Sequence, residues 1–266
     1  MKKLLGCLLA ISVTVTLLAA PVWADDVMGT SGSDRWQVTI EPYAWLPQMD
    51  GSVTVNNVKQ KVKFDLTDYP TIIDELRMIL SGRFKIQKGR FAVFYDGMYM
   101  KLKDNTNGPV VSTEVILKSG IEELGVSFEV ADWAVGGETK KNLSFEVLGG
   151  ARHIYLRAEG SANAPLYGVS LEANRTRQWV DPFIGGRLIL DLTEQTSVSL
   201  RGDIGGFGVS SDFIWNGILE LKHYFTKNKN WFTAIGYRGM NTDYKNGSFK
   251  YEVNYYGPVT SMGFSF

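Results

Sequence analysis

Charged residues that alternate with apolar ones are the residues of this sequence best placed to do chemistry. The acidic members of this alternating set are Glu41, Asp96, Glu123, Glu129, Glu146, Asp181, Asp203 and Glu220. The basic members are Arg77, Arg83, Lys85, Arg152, Arg187, Arg201, Lys222 and Arg238. The two sets are equal in size, so we expect them to pair with one another. A strongly ion-selective channel would instead show an excess of one sign.

Nucleophilic catalysis is the second chemistry to consider, and the histidines decide it. The chain has two histidines, His153 and His223. Where charged and apolar residues alternate, both histidines occupy positions of the apolar set. Ser144 and Ser199 fall on the charged phase, so neither histidine shares their face. A histidine base must lie within hydrogen-bond reach of its nucleophile. We therefore predict no catalytic residues and do not expect an enzyme; an envelope enzyme is the least favoured alternative.

Metal and phosphate binding receive little support from the sequence. Carboxylates that suit hard cations cluster at Asp65, Asp68, Asp74 and Glu75, but such a cluster is typical of a solvated loop. The Gly-Gly-Phe-Gly run at 205–208 lacks the helix that follows a phosphate-binding loop, and it is expected to be a tight turn. We predict no metal and no cofactor.

The alternation itself predicts β-strands, because successive side chains of a strand point to opposite faces. The predicted strands are 36–46, 77–87, 90–102, 121–134, 143–157, 171–192, 196–204, 212–225, 231–244 and 248–266. Each is long enough to cross a membrane when tilted, which takes about 9–11 residues. Charges are costly in lipid, so the charged phase must face the lumen. The prediction is an all-β, closed antiparallel transmembrane β-barrel of about ten strands, with eight to twelve compatible. A soluble periplasmic barrel or sandwich is the alternative.

The segments between the predicted strands alternate between compact turns and longer loops, with both termini then on the periplasmic side. Residues 47–76 form the longest connection, which either stands outside the membrane or enters the lumen. Within it, 50–64 has the pattern of a small hairpin and 71–76 that of a short helical turn.

The N-terminus has the features of a secretory signal peptide over residues 1–24, with basic Lys2 and Lys3 before an apolar run and a small-residue cleavage site. A periplasmic lead is predicted at 25–35, followed by the barrel at 36–266. Cys7 is the only cysteine, so the mature chain would have no disulfide.

The C-terminus indicates the destination. Tyr256, Met262, Phe264 and Phe266 share one phase of the last strand, and a terminal Phe resembles the C-terminal signal of Gram-negative outer-membrane barrels. We therefore expect export to the cell outer membrane.

The expected partners are outer-membrane lipid and lipopolysaccharide, the barrel-assembly machinery and periplasmic chaperones, with the oligomeric state left open. The net charge of +0 gives no basic footprint, so no nucleic acid is expected.

Aromatic residues lie near the predicted strand ends, as in interfacial girdles. The periplasmic girdle would comprise Trp36, Trp133, Phe225, Trp231, Phe264 and Phe266, and the outer one Tyr99, Trp215 and Tyr244. The inward phase of the last strand is small at Gly257, Ser261, Gly263 and Ser265, which predicts room in the lumen there.

Several strings together resemble a broad family of porin-like proteobacterial outer-membrane β-barrel proteins. They are Pro42–Pro47, Asp181–Arg187, Arg201–Gly208, Gly236–Arg238 and Tyr256–Pro258 leading to Phe266. The resemblance covers essentially the whole mature chain, and Arg201–Gly208 is its most specific piece. It implies location and fold, and no activity or catalytic residue.

The favoured function is a structural barrel or a small passive pore with a charge-matched lumen. The alternative is a barrel that binds or transports a small apolar or lipid-like ligand through Tyr43, Trp45, Met98 and Met100.

Overall fold

The computed structural model describes residues 35–55, 57–64, 76–107, 112–135, 141–164 and 169–266. They form twelve antiparallel strands: β1 (Trp36–Trp45), β2 (Gln48–Val55), β3 (Val58–Phe64), β4 (Leu76–Lys88), β5 (Phe91–Asn107), β6 (Ser112–Val135), β7 (Lys141–Ala164), β8 (Val169–Thr193), β9 (Thr196–Gly205), β10 (Ser211–Tyr224), β11 (Trp231–Asn246) and β12 (Phe249–Ser265). The predicted all-β class is confirmed. Within these ranges, no helix is long and apolar enough to cross a membrane. The predicted signal peptide at 1–24 lies outside the described residues.

Ten of the twelve strands close into a ring. β1 pairs with β4 on one side and with β12 on the other, and β4 to β12 each pair with the next strand in sequence. The predicted closed antiparallel barrel is confirmed, and the ring has the predicted ten strands.

The two remaining strands form the hairpin expected within 47–76. β2 pairs with the upper part of β12 from Gln48–Tyr256 to Thr54–Lys250, and β3 pairs with β2. The hairpin therefore extends the wall above β1. Of the predicted helical turn at 71–76, Leu76 already belongs to β4, and 71–75 lie outside the described residues.

The closure of the ring is staggered. Starting at Thr39 on β1 and moving from each residue to its partner on the next strand, from β4 round to β12, one arrives at Val253. On the other side of β1, however, Thr39 is paired with Ser265 of β12. The ring therefore closes with a stagger of twelve residues. Such a stagger tilts the strands by roughly 35–45° from the barrel axis. Because of the tilt, residues from strands far apart in sequence reach the same level inside the barrel. We call lower the end with the turn at Gly89 and the terminal Phe266, and upper the end with the turn at Gly247.

The lower part of the outer wall is apolar. Leu80 and Leu124 are 67% and 62% exposed, and exposed apolar residues lie on every side of the ring. An apolar surface of this extent is unusual for an isolated soluble protein. The exposed wall residues, called here the apolar belt, include Ile40, Leu80, Phe84, Val93, Leu124, Val126, Val147, Ile184, Leu188, Leu200, Ile204, Leu219 and Ile235.

The apolar belt gives way to polar residues towards the upper end. On β7 the outward position His153 lies 3.1 Å from Glu122 of β6, and above Tyr155 the outward positions are Arg157 and Glu159. Lys118 Nζ and Arg157 Nε lie 2.7 Å and 2.6 Å from Glu159 Oε1, so charged pairs replace apolar side chains there. β6, β7 and β8 have 24, 24 and 25 residues, more than twice what the belt requires, and therefore extend well above it.

Most of the aromatic residues predicted as girdles do lie on the outer wall. Trp36, Trp133, Phe225, Trp231, Phe264 and Phe266 are exposed near the lower end, and Trp215 is exposed above. Tyr244 was assigned wrongly: it lies inside the barrel, where its ring stacks on Trp179 at 4.0 Å. Tyr244 faces the lumen because it lies an even number of residues from Arg238 on β11, and side chains alternate between the two faces of a strand.

Candidate functional site in the barrel interior

The interior is organised in layers along the axis. An upper apolar layer consists of Tyr43, Trp45, Met98, Ile121, Ile154, Trp179, Ile214, Met240, Tyr244, Phe249, Tyr251, Val253, Tyr255 and Val259. A central ion-pair layer consists of Asp96, Glu123, Arg152, Arg201, Asp203 and Arg238. A lower charged layer consists of Glu41, Arg83, Lys85, Glu146, Arg187, Glu220 and Lys222. Below it lies an open cavity, called here the vestibule.

The upper apolar layer is densely packed. Trp45, Ile214, Met240 and Val253 have no exposed surface. The rings of Trp45 and Tyr255 have centroids 6.2 Å apart. Met98 and Met100, considered for an apolar ligand with Tyr43 and Trp45, are likewise buried. These four residues therefore contribute to packing.

One carboxylate organises the central ion-pair layer. Glu123 Oε1 on β6 accepts a hydrogen bond of 3.0 Å from Arg152 Nε on the neighbouring β7. Arg201 Nη2 on β9 donates to Glu123 Oε2 at 2.6 Å, and Arg238 Nη2 on β11 donates to Glu123 Oε1 at 3.1 Å. Three arginines from three strands thus converge on Glu123, which is 1% exposed.

Asp203 and Asp96 balance the remaining charge of these arginines. Asp203 lies 2.5 Å from Arg152 Nη2 and 3.1 Å from Arg201 Nε, and it accepts a 2.8 Å hydrogen bond from Asn216. Asp96 lies 3.6 Å from Arg238. Three arginines therefore face three carboxylates. Such pairing is what makes buried charges tolerable, since an unpaired one would be strongly destabilising.

Aromatic rings cover the faces of the same arginines. The guanidinium carbon of Arg152 lies 5.0 Å from the ring centroid of Phe183, and that of Arg238 lies 4.7 Å from Trp45. Arg201 lies 5.4 Å from Phe94. Planar guanidinium groups stack well on aromatic faces. The layer is thus packed as well as paired.

The lower charged layer is centred on Arg83 and Glu146. Arg83 Nη1 donates to Glu41 at 3.0 Å and to Glu220 at 2.6 Å. Arg83 Nε also reaches Asp96 at 3.3 Å, which connects this layer to the one above.

Glu146 in the same layer lies between two cations. Lys85 Nζ is 3.4 Å from Oε1, and Arg187 Nη1 is 3.3 Å from Oε2. Lys222 Nζ is 3.8 Å from Glu41. These contacts are longer than those of Glu123, and the cationic side chains remain partly exposed.

The vestibule has a volume of about 360 Å³ and occupies the lower end. Its wall includes Ser144, Ser197, Ser199, Ser265 and all seven residues of the lower charged layer.

The room expected beside the last strand is only partly present. Ser265 lines the vestibule, but the ring of Phe232 fills the space over Gly263, and the backbone of Leu46 passes directly over Gly257.

Asp181 and Glu129 lie apart from the layers. Asp181 accepts hydrogen bonds from the backbone N–H and the hydroxyl of Ser211, at 2.7 Å and 2.6 Å, and so fixes the β9–β10 turn. Gly206, Phe207 and Gly208 have positive φ in that turn, as expected for a tight turn. Glu129 lies at the vestibule wall, 4.0 Å from Arg90. Arg77 lies on β4, and its side chain is outside the described part.

Two polar members of the network were missed by sequence reasoning. Tyr43 donates a 2.7 Å hydrogen bond to Asp96, and Asn216 accepts a 3.0 Å hydrogen bond from Arg238. Both were detectable in principle, because each shares the charged phase of its strand.

The histidines face outward, and so do their partners. His153 Nδ1 lies 3.1 Å from Glu122 Oε2, and His223 Nδ1 lies 3.0 Å from Thr196 Oγ1.

Among the described residues, no group of three or more His, Cys, Asp and Glu is placed to hold a metal ion. The acidic residues between 65 and 75 lie outside that part.

No family model matches the chain, and no curated protein sequence matches it. Solved structures that match include the outer-membrane protease OmpT from Escherichia coli, at 9% identity and a TM-score of 0.47, covering 91% of this chain and 100% of that one. The attachment invasion locus protein Ail of Yersinia pestis, in complex with a heparin analogue, matches at 11% identity and 0.37, covering 87% and 98%. The translocator domain of autotransporter NalP from Neisseria meningitidis matches at 12% and 0.34, covering 91% and 90%. These neighbours are all outer-membrane proteins, and similarity at this level assigns no activity to the chain.

Proposed function

We propose that the protein is an integral outer-membrane β-barrel with a closed lumen, a structural component of the membrane that does not conduct ions. The observation on which this proposal rests is the central ion-pair layer, in which Glu123, Arg152 and Arg238 are at most 1% exposed. A conducting pore needs a continuous water path past its charged side chains. The upper apolar layer adds a second barrier.

The apolar belt supports insertion into a membrane. Its exposed residues, among them Leu80, Leu124 and Leu200, correspond to the outward-facing apolar band of outer-membrane barrels. Phe266 closes the wall through reciprocal backbone hydrogen bonds with Val38, at 3.1 Å and 2.9 Å. With the predicted signal peptide and C-terminal signal, we propose the cell outer membrane as the location, with the lower end in the periplasm.

The partners follow from this location as further proposals. Tyr256, Met262, Phe264 and Phe266 are exposed on the outer wall, where the barrel-assembly machinery could contact them. Periplasmic chaperones would act before assembly, and lipid and lipopolysaccharide would surround the belt afterwards. The expectation that the protein is not an enzyme stays a prediction.

Planar bilayer recording tests the closed lumen. The purified, folded protein is expected to give no steady conductance steps, in bilayers where an open porin gives them. Regular steps from the unmodified protein would overturn the proposal. Folding is checked on the same sample by comparing the migration of unboiled and boiled protein on a denaturing gel, since a closed barrel migrates differently in the two.

A further inference from the structure

The lower charged layer holds one cation more than its carboxylates neutralise. Its cations are Arg83, Lys85, Arg187 and Lys222, and its carboxylates are Glu41, Glu146 and Glu220. Asp96 is shared between the two layers, at 3.3 Å from Arg83 and 3.6 Å from Arg238. Taken together, the two layers hold seven cations and six carboxylates, so the excess of one cation remains. At the vestibule wall, Glu129 is paired with Arg90 and Lys229 with Asp191, and the opposite charges of Arg35 and the terminal carboxylate of Phe266 cancel, so these groups leave the excess unchanged.

The excess positive charge is also the accessible charge. The side chains of Lys85, Arg187 and Lys222 are 25%, 24% and 23% exposed, whereas the three carboxylate side chains of the layer are 7–12% exposed. A molecule inside the vestibule therefore meets ammonium and guanidinium groups, with the carboxylates behind them. Exposed cations in a concave site raise the local concentration of anions.

Neutral hydrogen-bond donors lie beside these cations. Ser144 on β7 and Ser199 on β9 are both paired with Ile189, two residues from Arg187 on the intervening β8. Their hydroxyls face the vestibule. Charged and hydroxyl donors on one wall suit the oxygens of a phosphate or carboxylate group.

The size of the vestibule limits the ligand. Its volume of about 360 Å³ is at the lower end of the range for small-molecule sites, roughly 300–1,000 Å³. We propose that the vestibule binds a small, multivalent oxyanion that enters from the lower, periplasmic end. The binding goes beyond the proposed structural function and does not require that the lumen conduct.

Calorimetric titration of the full-length protein in detergent micelles tests this proposal, with pyrophosphate and citrate as probes. Saturable binding that weakens as sodium chloride rises is expected for at least one probe, since added salt screens these charges. A preference for pyrophosphate identifies phosphate as the recognised group, and a preference for citrate identifies carboxylates. Absence of saturable binding of both probes at low salt would overturn the proposal.

Two variants with opposite expected effects locate the site. The double variant Lys85→Met with Lys222→Met is expected to bind at least tenfold more weakly. Glu146→Gln is expected to bind severalfold more tightly, because it removes the carboxylate that competes for Lys85 and Arg187. Lys103→Met is the matched control, since Lys103 pairs with Glu114 at 2.8 Å outside the vestibule.

Each result bears on the proposal. Unchanged affinity in both the lysine variant and Glu146→Gln would contradict it even if the unmodified protein bound the probes. Should the lysine variant fail to show the boiled-versus-unboiled shift of a folded barrel, the direction of the Glu146→Gln effect decides alone. A conducting protein that still bound the probes would contradict only the closed lumen.

Discussion

Glu123 and Arg238 lie on opposite sides of the ring and are joined across the lumen by an ion pair of 3.1 Å. Five strand-to-strand steps separate β6 from β11 in either direction around the ten-stranded ring. The contact therefore spans the diameter of the barrel, and it does so between residues 115 positions apart in sequence. Ion-paired side chains that meet at the centre of the barrel in this way block the lumen.

Neutralising Glu123 is expected to be strongly destabilising. Glu123→Gln leaves three buried arginines with two carboxylates, and breaking a buried pair costs about 3–5 kcal/mol. Urea unfolding of the barrel in detergent, followed by tryptophan fluorescence, measures the loss. Glu114→Gln is the control, because its pair with Lys103 is partly exposed, and exposed pairs contribute about 0–1 kcal/mol. Equal losses in the two variants would contradict the central role of Glu123.

Sequence periodicity was sufficient to assign faces. Glu123 and Arg238 were placed on the lumen side because each shares its phase with other charged residues, and side chains alternate along a strand. The same alternation places Tyr244 inside the barrel with Arg238. Its position near the end of β11 is typical of a girdle residue, so for Tyr244 the phase is the correct indicator and the position is not.

Periodicity could not predict which charges meet. The pairing of Glu123 with Arg238 depends on the twelve-residue stagger of the whole ring, which is the combined result of every strand register. A one-residue change in a register moves all side chains of a strand to the other face, but a two-residue change preserves the face and changes the partner. Asp181 illustrates this point, since it has the expected phase and yet lies high enough to hold Ser211 in a turn.

The upper apolar layer is expected to contribute stability without being needed for closure. Trp179→Ala removes the ring that stacks on Tyr244, and a Trp-to-Ala change in a packed core costs about 3–5 kcal/mol. The central layer remains intact in this variant, so bilayer recordings are expected to stay silent while the urea midpoint falls. Conductance steps from Trp179→Ala would show that the apolar layer is the real barrier.

Leu200 lies on the outer wall, and an arginine there tests the apolar belt. Leu200→Arg places a charge on the lipid face, which costs about 2–4 kcal/mol near the bilayer midplane. Refolding equilibria in lipid vesicles are expected to show this loss. Gln178→Arg is the matched control, because Gln178 is also exposed and outward but is paired with Tyr155 at the upper edge of the belt, where the cost of an arginine falls to about 0–1 kcal/mol. A Leu200→Arg variant as stable as Gln178→Arg would contradict membrane insertion of this wall.

The C-terminal residue is expected to matter for assembly more than for stability. The backbone of Phe266 bonds to Val38, and those bonds do not depend on the side chain, which is 60% exposed. Phe266→Ser should therefore leave the urea midpoint in detergent within about 0.5 kcal/mol, as is usual for surface substitutions. The amount of folded protein in the outer-membrane fraction of expressing cells should fall severalfold, because the aromatic end of the last strand resembles the signal that the assembly machinery recognises. Phe225→Ser provides the control, since Phe225 is an equally apolar, exposed residue at the same lower end but is not terminal. Equal membrane yields for the two variants would show that Phe266 acts only as one more girdle residue.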